Sequence, residues 1–406
     1  MDVVITGYGA ITPLGGGVAA LWDGLIAGRS GVRALDLDPG RFPSGRAAVG
    51  RAEVDAETAL GRANARRLDP TQRWALLAGR EAWADAGSPE VDGTRLAISL
   101  GTGVGGLNTT LEQEHRLREG GARRVSLRTV PMLMANAASS QLSIELGARG
   151  GAYTPVSACA AGAEGIAHGA RLIAAGEADV VLAGGAEAAL SELTLAAFAQ
   201  SQALATLHPG EDPTTLSRPF AADRRGFVLG EGAGIVVLES EAFAAARGAR
   251  VRARLAGWGI TSDAFHITAP DPEGTGQRSA IDAALSRAGL TPGDVDLVNA
   301  HATSTEVGDA AEATALRAAG LGHATVTANK GATGHLVGAA GAVEAIATVR
   351  SLETGLIPPT LNLAPDDAAC GLDVVRGASR AATIGAALST SFAFGGQNVA
   401  LVLARA

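Results

Sequence analysis

One cysteine and two histidines stand in small-residue segments where a reactive side chain can reach a ligand. Cys159 follows a β-prone run and opens an Ala/Gly-rich helix, predicted from Ala160 to about Gly176. A thiol at a helix N-terminus lies near the positive end of the helix dipole and near unpaired N–H groups, which favour the thiolate. His301 and His335 lie far downstream in similar surroundings. This combination is typical of a nucleophile with acid–base partners, although a free cysteine is also commonly a buried structural residue.

The composition limits the class of protein. The 406 residues are 47% hydrophobic and include 55 glycines but only 3% aromatic residues, which predicts a large core of closely packed small side chains. A formal net charge of −8 argues against a nucleic-acid partner. Cys159 and Cys370 are the only cysteines, and no secretory signal or membrane-spanning run is visible. We therefore expect a cytoplasmic protein with no membrane contact.

Strand-like and helical segments alternate along the whole chain, which predicts an α/β layered fold. A seam near 240–252 divides it into halves, 1–250 with the cysteine and 251–406 with the two histidines. The predicted strands are 3–9, 95–100, 178–185, 234–239, 296–300, 325–327, 386–391 and 399–403. The predicted helices are 18–27, 70–86, 140–146, 162–175, 276–288, 309–319 and 339–354.

The two halves have the same predicted order of strands, loops and helices around their reactive residues. The strand 95–100 runs into a Gly/Thr loop, as the strand 296–300 runs into the His301 loop, and the helix after Cys159 corresponds to the helix after His335. A duplicated βα unit related by a pseudo-twofold axis would bring the two helix N-termini together. The pattern therefore predicts that Cys159 lies near His335.

The Gly/Thr loop itself has the spacing of a dinucleotide-binding fingerprint. Its residues 101–106 read GTGVGG directly after a predicted strand. The fingerprint also requires an acidic residue about 20 positions later at the end of a second strand, whereas 111–128 is a charged helix and loop. The spacing alone does not support nucleotide binding.

At this point the chain resembles the β-ketoacyl-acyl carrier protein synthases of the thiolase-like superfamily, in their dissociated bacterial form. The resemblance covers nearly the whole chain, because seven family-like segments occur in order. They are 3–9, 157–162, 218–234, 262–270, 299–305, 330–344 and 391–398. It implies duplicated βαβαβ halves in a five-layered αβαβα arrangement. It also implies an acyltransferase that condenses malonyl-acyl carrier protein, with loss of CO₂, onto an acyl group held on Cys159, in fatty acid or polyketide biosynthesis.

The resemblance assigns roles to further residues. His301 and His335 hydrogen-bond the malonyl thioester carbonyl, and Lys330 with Glu344 forms a supporting pair, in which Lys330 is expected beside His335. The backbone N–H groups of Cys159 and the residue matching Phe394 form an oxyanion hole. Thr303 and Thr305 bind the pantetheine arm. No metal and no cofactor is implied, since the substrates are carried on the phosphopantetheine arm of acyl carrier protein.

The resemblance also implies partners. Acyl carrier protein is acidic, so docking on this acidic chain requires basic patches. The two clusters predicted for this role are Arg62, Arg66 and Arg67, and Arg123 with Arg124. Residues 128–140 are apolar, without a predicted secondary structure, and are expected to cross a twofold interface. The chain is thus expected to form a homodimer or to pair with a cysteine-less homologue.

Two alternatives remain within the fold. A chain-length-factor-like subunit would lack the nucleophile, whereas Cys159 and both histidines are present here. A thiolase would use a second catalytic cysteine, but Cys370 lies in a polar loop. Both are disfavoured, and the sequence does not distinguish a fatty acid pathway from a polyketide or polyene pathway.

Overall fold

The computed structural model describes residues 2–42 and 44–406. Strands and helices alternate along the chain as the sequence predicts. The strands are β1 Val3–Thr12, β2 Gly15–Gly16, β3 Arg33–Asp36, β4 Arg46–Gly50, β5 Leu96–Gly101, β6 Ala152–Tyr153, β7 Val180–Glu187, β8 Leu229–Gly230, β9 Gly232–Ser240, β10 Ala253–Ser262, β11 Leu297–Asn299, β12 Thr325–Thr327, β13 Leu356–Ile357, β14 Asp373–Val374, β15 Arg380–Ala381, β16 Ala386–Ala393 and β17 Gln397–Arg405. The helices are α1 Val18–Ile26, α2 Ala56–Leu60, α3 Arg62–Ala65, α4 Pro70–Asp85, α5 Leu107–Gly120, α6 Thr129–Leu133, α7 Ala137–Leu146, α8 Ala161–Ala174, α9 Glu192–Gln200, α10 Glu241–Ala246, α11 Thr275–Ala288, α12 Glu306–Ala318, α13 Lys330–Thr333 and α14 Ala340–Thr354.

The main sheet consists of two halves with the same plan. Its strand order is β14-β12-β11-β16-β17-β10-β1-β9-β7-β5-β6. In the first half β1, β9 and β7 pair antiparallel, and β5 joins β7 and β6 by parallel pairing. In the second half β10, β17 and β16 pair antiparallel, and β11 joins β16 and β12 by parallel pairing. The two halves join where β1 pairs with β10 over a short stretch. The duplication expected from the sequence is therefore present in the topology.

Glycines repeat the same packing in both halves. Helix α4 lies so close to β1 that a Cβ on Gly9 would overlap the carbonyl oxygen of Ala78, and a Cβ on Gly259 in β10 would likewise overlap that of Ala280 in α11. Each strand has a bulge just before this region. Only glycine allows the helix backbone to approach the strand this closely.

Two helices form the central layer between the half-sheets. Ile166 of α8 and Ile346 of α14 are fully buried in one hydrophobic core with Val236 of the first half-sheet and Leu401 of the second. Because this core draws on both halves, the proposed halves 1–250 and 251–406 share one interior. The outer helices α4 and α11 cover the opposite faces, which gives the predicted five-layered αβαβα order.

The segment 128–140 differs from its prediction. It contains the short helix α6 and the start of α7, where the sequence predicted no regular structure. Two of its large apolar side chains are exposed, Val130 at 62% and Met134 at 39% accessibility, whereas Ala137 and Ala138 are buried. The strand β10 was also not predicted, because the Ala, Arg and Gly residues among its ten positions interrupt the run of residues with high β-propensity. None of the helices in the described ranges is long and apolar enough to span a bilayer.

Candidate active site

One cavity of about 680 Å³ collects the predicted site residues from both halves of the chain. It lies where the loops after β5, β7, β11 and β16 converge with the turns before α8 and α14. The predicted residues that line it are Cys159, His301, His335, Thr303, Thr305 and Phe394. The pseudo-twofold argument is therefore confirmed, since the cysteine and both histidines share one space.

Cys159 sits on a strained turn. It is the middle residue of a short 3₁₀ turn, 158–160, that leads into α8, and the residue before it, Ala158, has φ +50°. The turn before α14 has the same form, with Val337 at φ +47°. Non-glycine residues in this region cost on the order of 1–3 kcal/mol and persist where packing enforces them. The strain directs the Cys159 side chain into the cavity.

The Cys159 thiol is less acidic than the sequence suggests. Burial raises the pKa of Cys159 to about 11, although the charge of Lys330 and the backbone N–H groups of Phe394 and of Cys159 itself favour the thiolate. The expectation of a lowered pKa was wrong for the ligand-free protein, because desolvation of a thiolate outweighs the field of a helix N-terminus.

His301 is oriented by a buried carboxylate and a buried ammonium. The carboxylate of Glu312 in α12 accepts hydrogen bonds from the backbone N–H groups of His301 (2.8 Å) and Ala302 (2.7 Å). Lys330 Nζ lies 3.2 Å from His301 Nδ1. Because an ammonium group only donates, Nδ1 is the acceptor and the ring proton is on Nε2. His301 therefore has an N–H donor on the ring nitrogen opposite Lys330.

His335 is held by its backbone and leaves its ring free for a ligand. Its N–H donates to the carbonyl of Val228 at 2.7 Å, while its ring packs edge-on against Phe227 and His301, at centroid distances of 5.4 and 5.3 Å. Both ring nitrogens are buried, and neither has a hydrogen-bond partner within the described ranges. Buried polar atoms normally have a hydrogen-bond partner, so the His335 ring is suited to hydrogen-bond a ligand in the cavity.

Both histidines are neutral at physiological pH. Burial, and then the positive charge of Lys330, holds the pKa of His301 and of His335 well below 6.5, with His335 adding to the effect at His301. A neutral imidazole carries one N–H donor and no charge to neutralise. The pair is suited to stabilising a developing negative charge on an oxygen by hydrogen bonding.

Lys330 and Glu344 form the predicted pair, but their position differs from the expectation. Their charged groups are in contact, and both side chains are almost completely buried. Burial raises the pKa of Glu344 to about 7, while Lys330 opposes that rise. Lys330 hydrogen-bonds His301 rather than His335, although it is only five residues from His335 in sequence, because its side chain extends toward Glu344 on α14 and the loop after β11.

Phe394 brings a second backbone donor to the thiol. Its N–H and that of Cys159 both lower the pKa of the Cys159 thiol, and an oxyanion hole formed by the two groups stays a prediction. The next two residues, Gly395 and Gly396, have φ of +84° and +75°, which glycine adopts without strain. The two glycines allow the chain to turn back immediately after Phe394.

Models of known families place the chain among condensing enzymes. The model described as the β-ketoacyl synthase N-terminal domain matches residues 1–244, and that of the C-terminal domain matches residues 252–364. The chain belongs to the β-ketoacyl synthase family. The resemblance seen in the sequence and the predicted thiolase-like fold are thereby confirmed, and the match favours a ketosynthase over a thiolase.

Full-length relatives support the same family. A 3-oxoacyl-[acyl-carrier-protein] synthase 2 from Mycobacterium tuberculosis is 43% identical over 406 residues, covering 99% of this chain and 97% of the relative. The protein of that name from Synechocystis sp. is 41% identical, covering 98% and 97%. A β-ketoacyl synthase structure from Burkholderia phymatum is 33% identical with a TM-score of 0.91, and a type II polyketide ketosynthase in complex with its acyl-carrier protein is 28% identical with a TM-score of 0.90. Both structural matches cover 100% of this chain and 99% of the other.

The threonines of this β-ketoacyl synthase face the cavity and one of them also caps a helix. Thr303 and Thr305 hydroxyls lie 3.0 Å apart on the cavity wall. Thr305 is the N-cap of α12 and accepts from the N–H of Gly308. A helix-capping role accounts for Thr305 by itself, so its proposed contact with pantetheine would be additional.

The arginines predicted to dock a carrier protein all lie outside the cavity lining. All of them are exposed: Arg62, Arg66, Arg67, Arg123 and Arg124. In the first cluster, Arg62 and Arg66 each approach Glu57, at 3.3 and 3.7 Å, which offsets part of their charge. Arg67 follows the end of α3, where its N–H donates to the Asn64 carbonyl, and it forms no ion pair within the described ranges. Arg67 is therefore the member of the first cluster whose charge remains available, and docking at either cluster stays a prediction.

Sequence reasoning missed two carboxylates of the ketosynthase site. Glu312 accepts a hydrogen bond from the N–H of His301, and Glu187 accepts one from the N–H of Gly103 in the Gly-rich loop 101–106. Glu187 lies in a small-residue segment where an acidic residue is unusual, which was an available signal, whereas Glu312 shares its helix with Glu306 and Asp309 and does not stand out. Their spacing from the catalytic motifs in sequence gave no indication of contact.

Proposed function

We propose that this chain is a β-ketoacyl-acyl carrier protein synthase that joins malonyl units to an acyl group carried on Cys159. One observation carries the proposal: a thiol, two neutral imidazoles and two backbone N–H groups face one cavity contributed by both halves. These groups suit a reaction in which a thioester is exchanged and an oxyanion is then stabilised. A cytoplasmic location belongs to the same proposal.

The first step transfers the acyl group. The sulfur of Cys159 attacks the thioester carbonyl of acyl carrier protein, and the thiol proton leaves on the departing pantetheine sulfur. Lys330 and the N–H groups of Cys159 and Phe394 favour the thiolate. The same two N–H groups stabilise the tetrahedral oxyanion.

The second step forms the carbon–carbon bond. Malonyl-acyl carrier protein loses CO₂, and the electron pair of the broken bond becomes an enolate whose oxygen accepts hydrogen bonds from His301 and His335. The enolate carbon attacks the acyl carbonyl on Cys159, and the tetrahedral intermediate expels the Cys159 thiolate. Lys330, hydrogen-bonded to Nδ1, keeps the His301 proton on Nε2, where the enolate needs a donor.

A reconstituted reaction tests the proposal. Acyl and malonyl carrier proteins are mixed with the enzyme, with malonate labelled at its free carboxyl, and products are followed by mass spectrometry. We expect a 3-oxoacyl carrier protein and one labelled CO₂ per turnover. Condensation of acetyl units without CO₂ release would instead indicate thiolase chemistry.

Docking of the carrier protein is proposed at the two exposed clusters, with Arg123 and Arg124 as the cluster to test because neither is paired with an acidic side chain in the described ranges. In the other cluster, Arg67 is expected to contribute more than Arg62 and Arg66, which share Glu57.

Arg123→Glu with Arg124→Glu should raise KM for malonyl carrier protein and weaken its dependence on ionic strength, because the steering charge is reversed. Steady-state kinetics at several salt concentrations measure this. Turnover of a small malonyl thioester is the control, and an equal loss with both substrates would point to a folding defect.

Association with a second subunit is proposed along the β6 edge of the sheet. The outer strand β6 is exposed and contains Tyr153, which is 38% accessible. Ile144 of α7, which packs beside β6, is 75% accessible, Val156 after β6 is 57%, and Val130 of α6, which packs against α7, is 62%. Exposed apolar side chains beside an open sheet edge are typical of a dimer interface.

Light scattering of the purified chain should accordingly give a dimer. Ile144→Asp should shift the mass toward the monomer, because it buries a charge in the interface, whereas Leu193→Asp, an exposed apolar residue in α9, should not. A homodimer that condenses acyl chains supports the fatty-acid type. A chain that is inactive until co-expressed with a cysteine-less homologue supports the heterodimer, and an active monomer contradicts both.

A further inference from the structure

The Gly-rich loop 101–106 has the spacing of a nucleotide-binding motif but binds an anion of the protein itself. Glu187, the last residue of β7, is fully buried. Its carboxylate accepts hydrogen bonds from the Gly103 N–H at 2.6 Å and the Thr102 hydroxyl at 3.2 Å. The Val104 N–H also acts on it. The loop is therefore a cradle of backbone donors, as in phosphate sites, with a side-chain carboxylate in place of the ligand.

The same carboxylate reaches the second half of the chain. The N–H of Gly338 donates to it at 3.2 Å, and Gly338 belongs to the strained turn that follows His335. Gly103 and Val337 both line the cavity with Cys159. A Cβ on Gly103 would be 2.9 Å from Val337 and one on Gly338 would be 2.5 Å from the Gly103 nitrogen, so the loop and the turn are in close contact. Glu187 holds them together.

Glu187 is not neutralised by a basic side chain in the part of the chain that the structure describes. No Lys, Arg or His within the described ranges forms an ion pair with it, and burial raises its pKa to about 7 in spite of its backbone donors. The negative charge of Glu187 raises the pKa of Cys159, whereas the positive charge of Lys330 lowers it. Burying a carboxylate without a cationic partner costs free energy of desolvation, which indicates that its position or its charge has a function.

We propose that Glu187 is a positioning residue that joins the Gly-rich loop to the turn after His335, and that its negative charge restrains the reactivity of the Cys159 thiol. The carboxylate keeps Gly103, Val104 and Val337 in the cavity wall. Its ionised form disfavours the Cys159 thiolate and so adds to the larger effect of burial. The part of this inference that concerns catalysis rests on the proposed condensation.

The pH dependence of Cys159 alkylation tests the charge. Iodoacetamide labelling is followed by mass spectrometry in wild type, Glu187→Gln and Glu239→Gln, with Cys159→Ala as the blank. Glutamine preserves shape and an acceptor but removes the charge, so Glu187→Gln should alkylate several-fold faster at pH 8, with its profile displaced to lower pH. Glu239, also fully buried and paired with Arg247 and Thr6, is a matched carboxylate outside the cavity lining, and its variant should keep the wild-type profile.

Condensation tests the positioning. Glu187→Ala leaves the loop donors unpaired, and a displacement of about 1 Å in the wall should lower condensation by about 10²-fold, with partial recovery in Glu187→Gln. Alkylation profiles that coincide for wild type and Glu187→Gln, or that shift equally in Glu239→Gln, overturn the proposal. Because alkylation needs no acyl substrate, this outcome is independent of whether the chain proves to be a condensing enzyme.

Discussion

Replacing Cys159 by alanine should abolish both acyl transfer to the protein and condensation. The cavity brings together the two N–H groups, the two imidazoles and this thiol, and removing a covalent nucleophile typically costs about 10⁴-fold or more. Intact-protein mass spectrometry after incubation with acyl carrier protein should show one acyl adduct on wild type and none on Cys159→Ala. The condensation product should fall to the level of an enzyme-free blank.

The second cysteine is the matched control. Cys370 is partly buried in a short turn beside Arg317 and is absent from the cavity lining. Cys370→Ala should keep the adduct and the condensation rate. An adduct that survives Cys159→Ala, or one that maps to Cys370, would refute the assignment of the nucleophile and revive the thiolase alternative.

His301→Ala and His335→Ala should each lower condensation by about 10²- to 10³-fold, equivalent to roughly 3–4 kcal/mol, because each removes a preorganised donor to the enolate oxygen. Loading of Cys159 should continue. After burial, the largest effects on the pKa of the thiol come from Lys330, Glu187 and two backbone N–H groups rather than from either imidazole. Single-turnover assays that separate adduct formation from CO₂ release measure the two steps independently.

Two further variants sharpen the histidine test. His335→Gln retains an N–H donor and should recover part of the decarboxylation that His335→Ala loses, while His115→Ala, on the exposed face of α5, should behave as wild type. If both alanine variants fail at loading and perform normally afterwards, the histidines act as bases for the thiol and the division of roles proposed here is wrong.

Local sequence was sufficient for most of the central strands and helices and for the identity of the reactive groups, although it missed strand β10. Strand Thr325–Thr327 was predicted with its observed bounds, and helix Pro70–Asp85 within one residue, since Asp69 forms a capping box directly before Pro70. Cys159 could be singled out because it stands at a strand-to-helix turn. The duplicated topology followed from the order of strands and helices, and it correctly placed the two helix N-termini together.

The pKa of Cys159 could not be predicted from the sequence. Whether Cys159 is acidic depends on how completely the cavity wall excludes water, and that wall comes from loops hundreds of residues apart in the chain. The helix N-terminus was visible locally and suggested a lower pKa, yet the desolvation that raises it exists only after both halves have packed.

The sequence by itself determined that a cysteine and two histidines stand at turns where they can form one site, because turn chemistry, hydrophobic period and small-residue motifs are local properties. Only the tertiary structure decided which partner each one has. Lys330 lies five residues from His335 but hydrogen-bonds His301, and the Gly-rich loop meets Glu187 from a different strand. Partner choice depends on how two half-sheets twist and pack around α8 and α14, and that geometry is set by the whole core rather than by any one segment.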